Sequence, residues 1–122
     1  MALFFCLKNF KHKIETSKND YHDRDYLINI SIPEFSCLCP KTGLPDYAII
    51  KIDYIPNKLL VELKSLKYYI LNFRNFGIFH EHATNLILDD FKKACKPKEI
   101  TVTSLFNSRG GINTTVKASW PK

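Results

Sequence analysis

The first half of the chain alternates between apolar and polar side chains, which predicts β-strands. Residues 25–32 and 47–55 show this alternation among β-branched residues. The intervening residues 33–46 contain prolines and a glycine and predict a long loop, while a short strand is expected at 58–62. The side chains predicted to share the inner face of the second strand are Ala48, Ile50, Ile52 and Tyr54.

The hydrophobic spacing changes after residue 65 and predicts two helices. Apolar side chains at i, i+3, i+4 and i+7 mark one face of the first helix, and Asn75 to Gly77 end it. A second helix is predicted for residues 79–95, with Pro97 as its stop signal. The first inward face is Leu66, Tyr69, Ile70 and Phe73. The second is Phe79, Ala83, Leu86, Ile87, Phe91 and Ala94.

Alternation returns in residues 100–105 and 112–120, on either side of a turn at Arg109-Gly110-Gly111. The order of strands, two helices and strands predicts an α+β domain, an antiparallel sheet with two helices on one face. Its open sheet edges make assembly through them plausible. Residues 1–24 are mixed and polar, and they predict an N-terminal arm before a single domain of residues 25–122.

Composition narrows the class of protein without deciding its function. A chain of 122 residues suits one compact domain, and its net charge of +6 favours anionic partners such as nucleic acid or nucleotide phosphates. A solvated basic surface explains the charge equally well. No apolar run is long enough to cross a membrane, and Met1–Leu7 lacks the features of a secretory leader. The cysteines, Cys6, Cys37, Cys39 and Cys95, fit no disulfide framework, so a cytoplasmic location is expected.

The segment from Phe35 to Asp46 carries the first candidate chemistry. Its bends can bring Asp46 toward Cys39, and a nucleophilic thiol needs a neighbouring group to exchange its proton. Lys41 would favour the thiolate, and the alternative is a buried structural cysteine. A metal site built from Cys37, Cys39, His80 and His82 is disfavoured by the Cys-x-Cys spacing.

Two further segments have weaker signals. Glu81, at the head of the second predicted helix, could accept hydrogen bonds from a guanine-like base, or it could simply complement the helix dipole. Lys64 and Lys67 lie one turn apart near the start of the first helix, where ammonium groups and backbone N–H groups suit phosphate. Arg109 and Gly110 are a second candidate anion contact, or an ordinary hairpin turn.

Together these segments resemble the QueF family, NADPH-dependent nitrile reductases (oxidoreductases) that act on 7-cyano-7-deazaguanine (preQ0) in queuosine biosynthesis, a tRNA modification. Residues 33–46 resemble the family's catalytic loop, and residues 62–69 resemble its signature Glu-(Ser/Leu)-Lys-(Ser/Ala)-apolar-Lys-apolar-aromatic. Three shorter motifs match in the same order: Phe73-Arg74-Asn75, Phe79-His80-Glu81 and Arg109-Gly110-Gly111. The similarity covers about residues 20 to 120, and Leu63 stands where serine is commoner.

The resemblance implies roles for individual residues. Cys39 would form a covalent thioimide with the nitrile carbon, Asp46 would carry the proton, and His80 would assist. The implied substrate-binding residues are Val61, Glu62, Leu63, Phe79, His80 and Glu81. The implied contacts to the cofactor NADPH are Lys64, Ser65, Arg109 and Gly110, with no metal site.

The resemblance also implies the tunnelling fold (T-fold), in which such subunits join edge to edge into an oligomeric barrel with sites at subunit boundaries. A single-module homo-oligomer of two stacked pentamers is expected, with a small-molecule 7-deazaguanine substrate and neither nucleic acid nor membrane as partner. The alternatives are a QueF-like amidinotransferase that uses the same thioimide and a non-catalytic basic RNA-binding module. A pterin-forming cyclohydrolase of the same fold would need a zinc site that the cysteine spacing disfavours.

Overall fold

A computed structural model describes residues 10–122, so Cys6 and the segment Met1–Leu7 lie outside the described residues. The elements in chain order are β1 (Thr16–Lys18), β2 (Ile28–Leu38), β3 (Pro45–Ile55), β4 (Leu59–Val61), α1 (Leu63–Leu71), a 3₁₀ helix (Asn72–Asn75), α2 (His80–Cys95), β5 (Glu99–Arg109) and β6 (Ile112–Trp120). The four long strands form an antiparallel sheet in the order β2-β3-β5-β6. The helices pack on one face of this sheet, as the sequence predicted.

The core lies between the sheet and the helices, and the predicted faces supply it. The inner face of β3 is buried at Ala48, Ile50, Ile52 and Tyr54. The predicted face of the first helix is also buried, although Phe73 belongs to the 3₁₀ helix that continues α1. Ile100, Val102 and Ser104 complete the layer from β5. The hydrophobic periods of β3 and of the first helix therefore identified the packing faces of these two elements correctly.

The second strand continues through the segment that the sequence predicted to be a loop. β2 extends to Leu38 and β3 begins at Pro45, so the connection is much shorter than residues 33–46. The pairing of β2 with β3 shifts between Ile32 and Phe35, where β2 has one residue more than its partner. This β-bulge at Pro33-Glu34 tolerates the missing proline N–H on an edge strand and keeps Phe35 on the buried face.

The predicted arm, residues 1–24, contains regular structure in its described part. β1 pairs with β4, and the ring of Phe10 makes edge contacts with Tyr69, Phe73 and Phe76. The sequence missed this strand because three residues are too few to show an alternating pattern. The segment is therefore packed against α1 and the 3₁₀ helix rather than irregular.

The start of α2 differs from the prediction at one aromatic side chain. Phe79 was expected to face inward, but it is the N-cap residue, its backbone is extended, and its side chain is 42% exposed. Ala83, Ile87 and Phe91 are buried as predicted, whereas Leu86 and Ala94 are half-buried. The helical face begins one turn after Phe79, which leaves that ring free to line a surface pocket.

Among the helices within residues 10–122, none has the length and apolar character needed to cross a lipid bilayer.

Candidate active site

A surface pocket of about 350 Å³ gathers most of the predicted catalytic residues. Its wall is built from the connection after β2, the start of β3, the start of α2 and the end of β5. The lining residues are Cys39, Pro40, Thr42, Asp46, Phe79, His80, Glu81 and Arg109. A larger cavity of about 680 Å³ lies between Phe10 and the two helices, but no thiol or imidazole lines it. The chemistry is therefore concentrated in the smaller pocket.

Asp46 is the buried centre of this pocket, with only 6% of its surface exposed. Its Oδ2 atom lies 3.1 Å from His80 Nε2, and its Oδ1 atom accepts a hydrogen bond of 2.8 Å from Arg109 Nη1. The same Nη1 atom also donates to the carbonyl oxygen of Pro45. Both carboxylate oxygens are thus held, each by a group from a different element, and the carboxylate orientation is fixed.

The thiols differ sharply in their environment. Cys37 and Cys95 are buried, and burial raises the pKa of each to about 12. Cys39 is partly exposed in the pocket, where hydrogen bonding from the Thr42 side chain lowers its pKa. Since the thiolate is the nucleophilic form, Cys39 is the thiol suited to attack.

The short connection that carries Cys39 is a closed, hydrogen-bonded loop. The Cys39 N–H donates to the carbonyl of Leu44, and the Gly43 N–H donates to the carbonyl of Cys39, both at 2.8 Å. Gly43 has φ of +71°, a backbone region that disfavours residues with a Cβ. These contacts hold the thiol at the pocket wall and place Thr42 beside it.

His80 is oriented by contacts on two sides. Its ring stacks on Phe106, with centroids 3.6 Å apart and an interplanar angle of 3°. Thr84 Oγ1 donates to the His80 carbonyl at 2.9 Å and lies 2.8 Å from Ser104 Oγ. The Phe106 ring therefore orients the imidazole with Nε2 toward Asp46, while Thr84 fixes the His80 backbone.

A second bulge places Arg109 on the pocket side of the sheet. Phe106 pairs with Thr114, but Arg109 pairs with Ile112, so β5 has one residue more than β6 in this stretch. In a regular strand, residues three apart face opposite sides of the sheet. The extra residue returns Arg109 to the side of Phe106, where it meets Asp46.

Gly110 lies in the turn between β5 and β6, outside the pocket of Cys39, and the remaining predicted binding residues lie at the junction of β4 and α1. Within the described part of the chain, none of them lines the pocket of Cys39. They are Val61, Glu62, Leu63, Lys64 and Ser65. Val61 is buried and Leu63 is 62% exposed.

Glu62 caps α1, and this changes the expected phosphate site. Its carboxylate accepts hydrogen bonds of 2.8 Å from the N–H groups of Lys64 and Ser65. These N–H groups lower the pKa of Glu62. The first N–H groups of the helix are therefore occupied. The Ser65 hydroxyl is also engaged, because it accepts from the Glu15 N–H and donates to the Glu62 carbonyl. Only the Lys64 and Lys67 ammonium groups are left for an anion here.

The alternative metal site is not formed. Across residues 10–122, no three side chains of His, Cys, Asp or Glu are grouped closely enough to bind a metal ion. Cys37 points into the core, where its sulfur lies 4.0 Å from the carbonyl oxygen of Ile78.

Three residues with structural roles in the site had no predicted function. Thr42 supports the Cys39 thiolate, while Phe106 and Thr84 hold His80. Thr42 lies within the catalytic-loop motif, and Phe106 continues the inward alternation of β5, so both carried a detectable signal. Thr84 carried none beyond its position one turn after His80.

Comparison with known proteins identifies the family. A family model described as QueF-like protein matches residues 45–122. The chain is 62% identical over 107 residues to a protein of Chloroherpeton thalassium named NADPH-dependent 7-cyano-7-deazaguanine reductase, covering 88% of this chain and 92% of that one. The chain belongs to the QueF family. Another QueF relative of the same name, from Chlorobaculum tepidum, is 55% identical over 112 residues and covers 92% and 96% of the two chains.

The fold of this QueF chain also matches a solved structure. The apo crystal structure of the archaeosine synthase QueF-Like has a TM-score of 0.72 and 22% sequence identity, with 76% of this chain and 91% of that chain covered. This match confirms the predicted α+β tunnelling-fold subunit. At that identity it bears on the fold alone.

Proposed function

We propose that this QueF chain reduces the nitrile of 7-cyano-7-deazaguanine to the primary amine of 7-aminomethyl-7-deazaguanine with two NADPH, in queuosine tRNA modification. The observation that carries the proposal is the shared pocket of Cys39, Asp46 and His80. It occurs in a chain 62% identical to a protein named as that reductase. Because the chemistry needs a free Cys39 thiol, we assign it to the reducing cytoplasm.

The first step is addition of Cys39 to the nitrile. Asp46 accepts the thiol proton, the sulfur forms a bond to the nitrile carbon, and the C≡N triple bond becomes a C=N double bond. Asp46 then delivers the same proton to the nitrogen, which gives a thioimide. His80, 3.1 Å from the Asp46 carboxylate, assists this proton transfer. No electrons enter or leave in this step.

The remaining steps are reductive. NADPH, when bound, supplies one hydride to the thioimide carbon and a second hydride to the imine. After the first, the C–S bond breaks, Cys39 regains its proton, and an imine forms. The pocket must then hold the imine away from water, because free imines hydrolyse. Two protons accompany the two hydrides: the first restores the Cys39 thiol, and the second is added to the nitrogen when the imine is reduced to the amine. Asp46 and His80 are the groups placed to deliver them.

The substrate-binding residues fall into two groups on different elements. Phe79 and Glu81 line the pocket mouth at the start of α2, where the exposed carboxylate can accept from the N–H edge of a deazaguanine. We assign the second group, Val61, Glu62 and Leu63, to a pocket contributed by a neighbouring subunit. This assignment accounts for their separation from Cys39 within one chain.

The residues suited to bind NADPH carry a charged group available to a phosphate, or they lie where the backbone can approach the cofactor closely. Lys64 is exposed, and Gly110 lies in an exposed turn with φ of +58°. The ammonium group of Lys64 suits a phosphate. Arg109 keeps guanidinium N–H groups beyond the Nη1 contacts and can serve a phosphate as well. Ser65 has a structural role at this site, because its hydroxyl is hydrogen-bonded to the backbone of Glu15 and Glu62.

We further propose a homo-oligomeric barrel of two stacked pentamers. The strands β2 and β6 are the edges of the four-stranded sheet, and each offers unpaired backbone groups to another subunit. Sedimentation equilibrium at several concentrations measures the assembly mass. A monomer with full activity would contradict both the barrel and the shared site.

The decisive experiment is substrate-dependent NADPH oxidation, followed by absorbance, together with intact-mass analysis of the protein. The wild type should oxidise two NADPH per nitrile and form a covalent adduct, and Cys39→Ala should do neither. Cys37→Ala is the matched control, because its buried thiol is not used, and it should keep the adduct. An adduct on Cys39→Ala would refute the assignment of the nucleophile.

The same experiment separates the alternatives. An adduct without NADPH oxidation, converted to an amidine by ammonia, would favour the amidine-forming activity. The RNA-binding alternative loses support from the structure, because Tyr69 and Phe73, two aromatics of the proposed stacking stripe, are buried in the core. Neither adduct nor NADPH oxidation by the wild type would refute the reductase.

A further inference from the structure

We propose that Arg109 is a positioning residue for Asp46 during adduct formation, a role distinct from its expected contact with cofactor phosphate. The inference rests on the proposed function, because it concerns the proton transfer by Asp46. Its basis is the hydrogen bond of 2.8 Å between Arg109 Nη1 and Asp46 Oδ1.

The side chain of Arg109 connects two elements of the fold. One nitrogen donates both to the Pro45 carbonyl and to the Asp46 carboxylate, so the end of β5 is tied to the start of β3. Asp46 Oδ1 is held by this contact, which leaves Oδ2 for His80. The carboxylate therefore has one anchored oxygen and one oxygen directed into the proton-transfer path.

The backbone is arranged to bring Arg109 to this position. The β5 bulge turns its side chain to the pocket side, and the following turn uses Gly110 and Gly111, both with positive φ. A phosphate contact at the rim of the sheet would not require the side chain to return toward the buried Asp46. The bulge therefore brings Arg109 into contact with the Asp46 carboxylate.

Arg109 also places a positive charge beside the Asp46 carboxylate. The titratable or charged groups that face the carboxylate are His80 from α2, Arg109 from β5, Cys37 from β2 and Cys39 from the following loop. Of these, only Arg109 carries a positive charge at every working pH. The guanidinium therefore stays a charged hydrogen-bond partner of Asp46 Oδ1 throughout adduct formation.

Adduct formation provides a test because it needs no NADPH. The wild type, Arg109→Met, Arg109→Lys and the control Arg24→Met are mixed with the nitrile alone, and the adduct is timed by intact mass across a range of pH. Arg24 is an exposed arginine that contacts Tyr21, so the control matches the loss of charge. The KM for NADPH is then measured separately for each variant.

Arg109→Met should slow adduct formation by about tenfold to 100-fold, the effect expected from a misplaced proton-transfer group. Arg109→Lys keeps the charge but loses the double contact. It should be slowed less than Arg109→Met. Arg24→Met should behave as the wild type.

Two outcomes would overturn the inference. Adduct formation by Arg109→Met at the wild-type rate, with only the KM for NADPH raised, would assign Arg109 to the cofactor alone. Equal slowing of Arg109→Met and Arg109→Lys would mark a structural role instead, because the positive charge beside Asp46 would then contribute nothing to adduct formation. If Arg109→Met fails to fold or assemble, Arg109→Lys decides by the same comparison: a wild-type adduct rate overturns the inference. Absence of any adduct with the wild type would instead refute the proposed function itself.

Discussion

Alkylation of the native protein should modify Cys39 and spare Cys37 and Cys95. Burial raises the pKa of both buried thiols to about 12, against an ordinary value of 9.0. At pH 8 a thiol of pKa 12 is ionised in about one molecule in 10⁴, and one of pKa 9 in about one in ten. The thiolate populations alone therefore differ about 10³-fold. The lowered pKa of Cys39 and its exposure increase this difference.

The assay uses a Cys6→Ser background, so that only the three described cysteines react. The protein is treated with iodoacetamide at pH 8, and each cysteine-containing peptide is quantified over time by mass spectrometry. In denaturant the three thiols should react at similar rates, which serves as the control. Native labelling of Cys37 within about tenfold of Cys39 would show that the burial argument is wrong.

Three further substitutions probe the supports of the site and the core. Thr42→Val should raise the pKa of Cys39, because the thiolate loses its hydrogen bond from the Thr42 side chain. The pH profile of alkylation should then move to higher pH, and an unchanged profile would contradict this cause. Thr84→Val should lower the free energy of unfolding by about 1–3 kcal/mol in urea titrations, since the buried Ser104 hydroxyl loses its hydrogen bond from Thr84. An unchanged midpoint would argue against a stabilising hydrogen bond between Thr84 and Ser104. Tyr69→Phe should cost about 1–2 kcal/mol, because the Asp90 carboxylate loses a hydrogen bond of 2.5 Å; Tyr68→Phe, on an exposed ring, is the matched control and should change little.

The packing faces were predictable because hydrophobic burial follows the period of each element. The alternation from Ala48 to Tyr54 and the helical spacing from Leu66 to Phe73 both identified core residues without reference to other parts of the chain. These signals are local, because the period of a strand or a helix alone determines which of its side chains share a face.

The missed features depend on pairing between distant segments. The bulge at Pro33-Glu34 looks like the start of a loop, because a proline ordinarily ends a strand, and only the partner β3 shows that pairing resumes. Likewise, nothing near Arg109 in the sequence indicates that its partner is Asp46. The motif match named the members of the pocket, whereas the hydrogen bonds that orient them required the fold.

The two bulges also determine where the chain can change length. Deleting one residue at 33–34 would place Phe35 two positions after Ile32, so strict alternation would return to β2 and Phe35 and Cys37 would stay on the buried face. Deletion of Asn107 or Ser108 would likewise place Arg109 two positions after Phe106 and keep it on the side of Asp46. Related sequences are therefore expected to tolerate the loss of one residue at either bulge, since both bulges lie in exposed segments and the faces of the strands are kept.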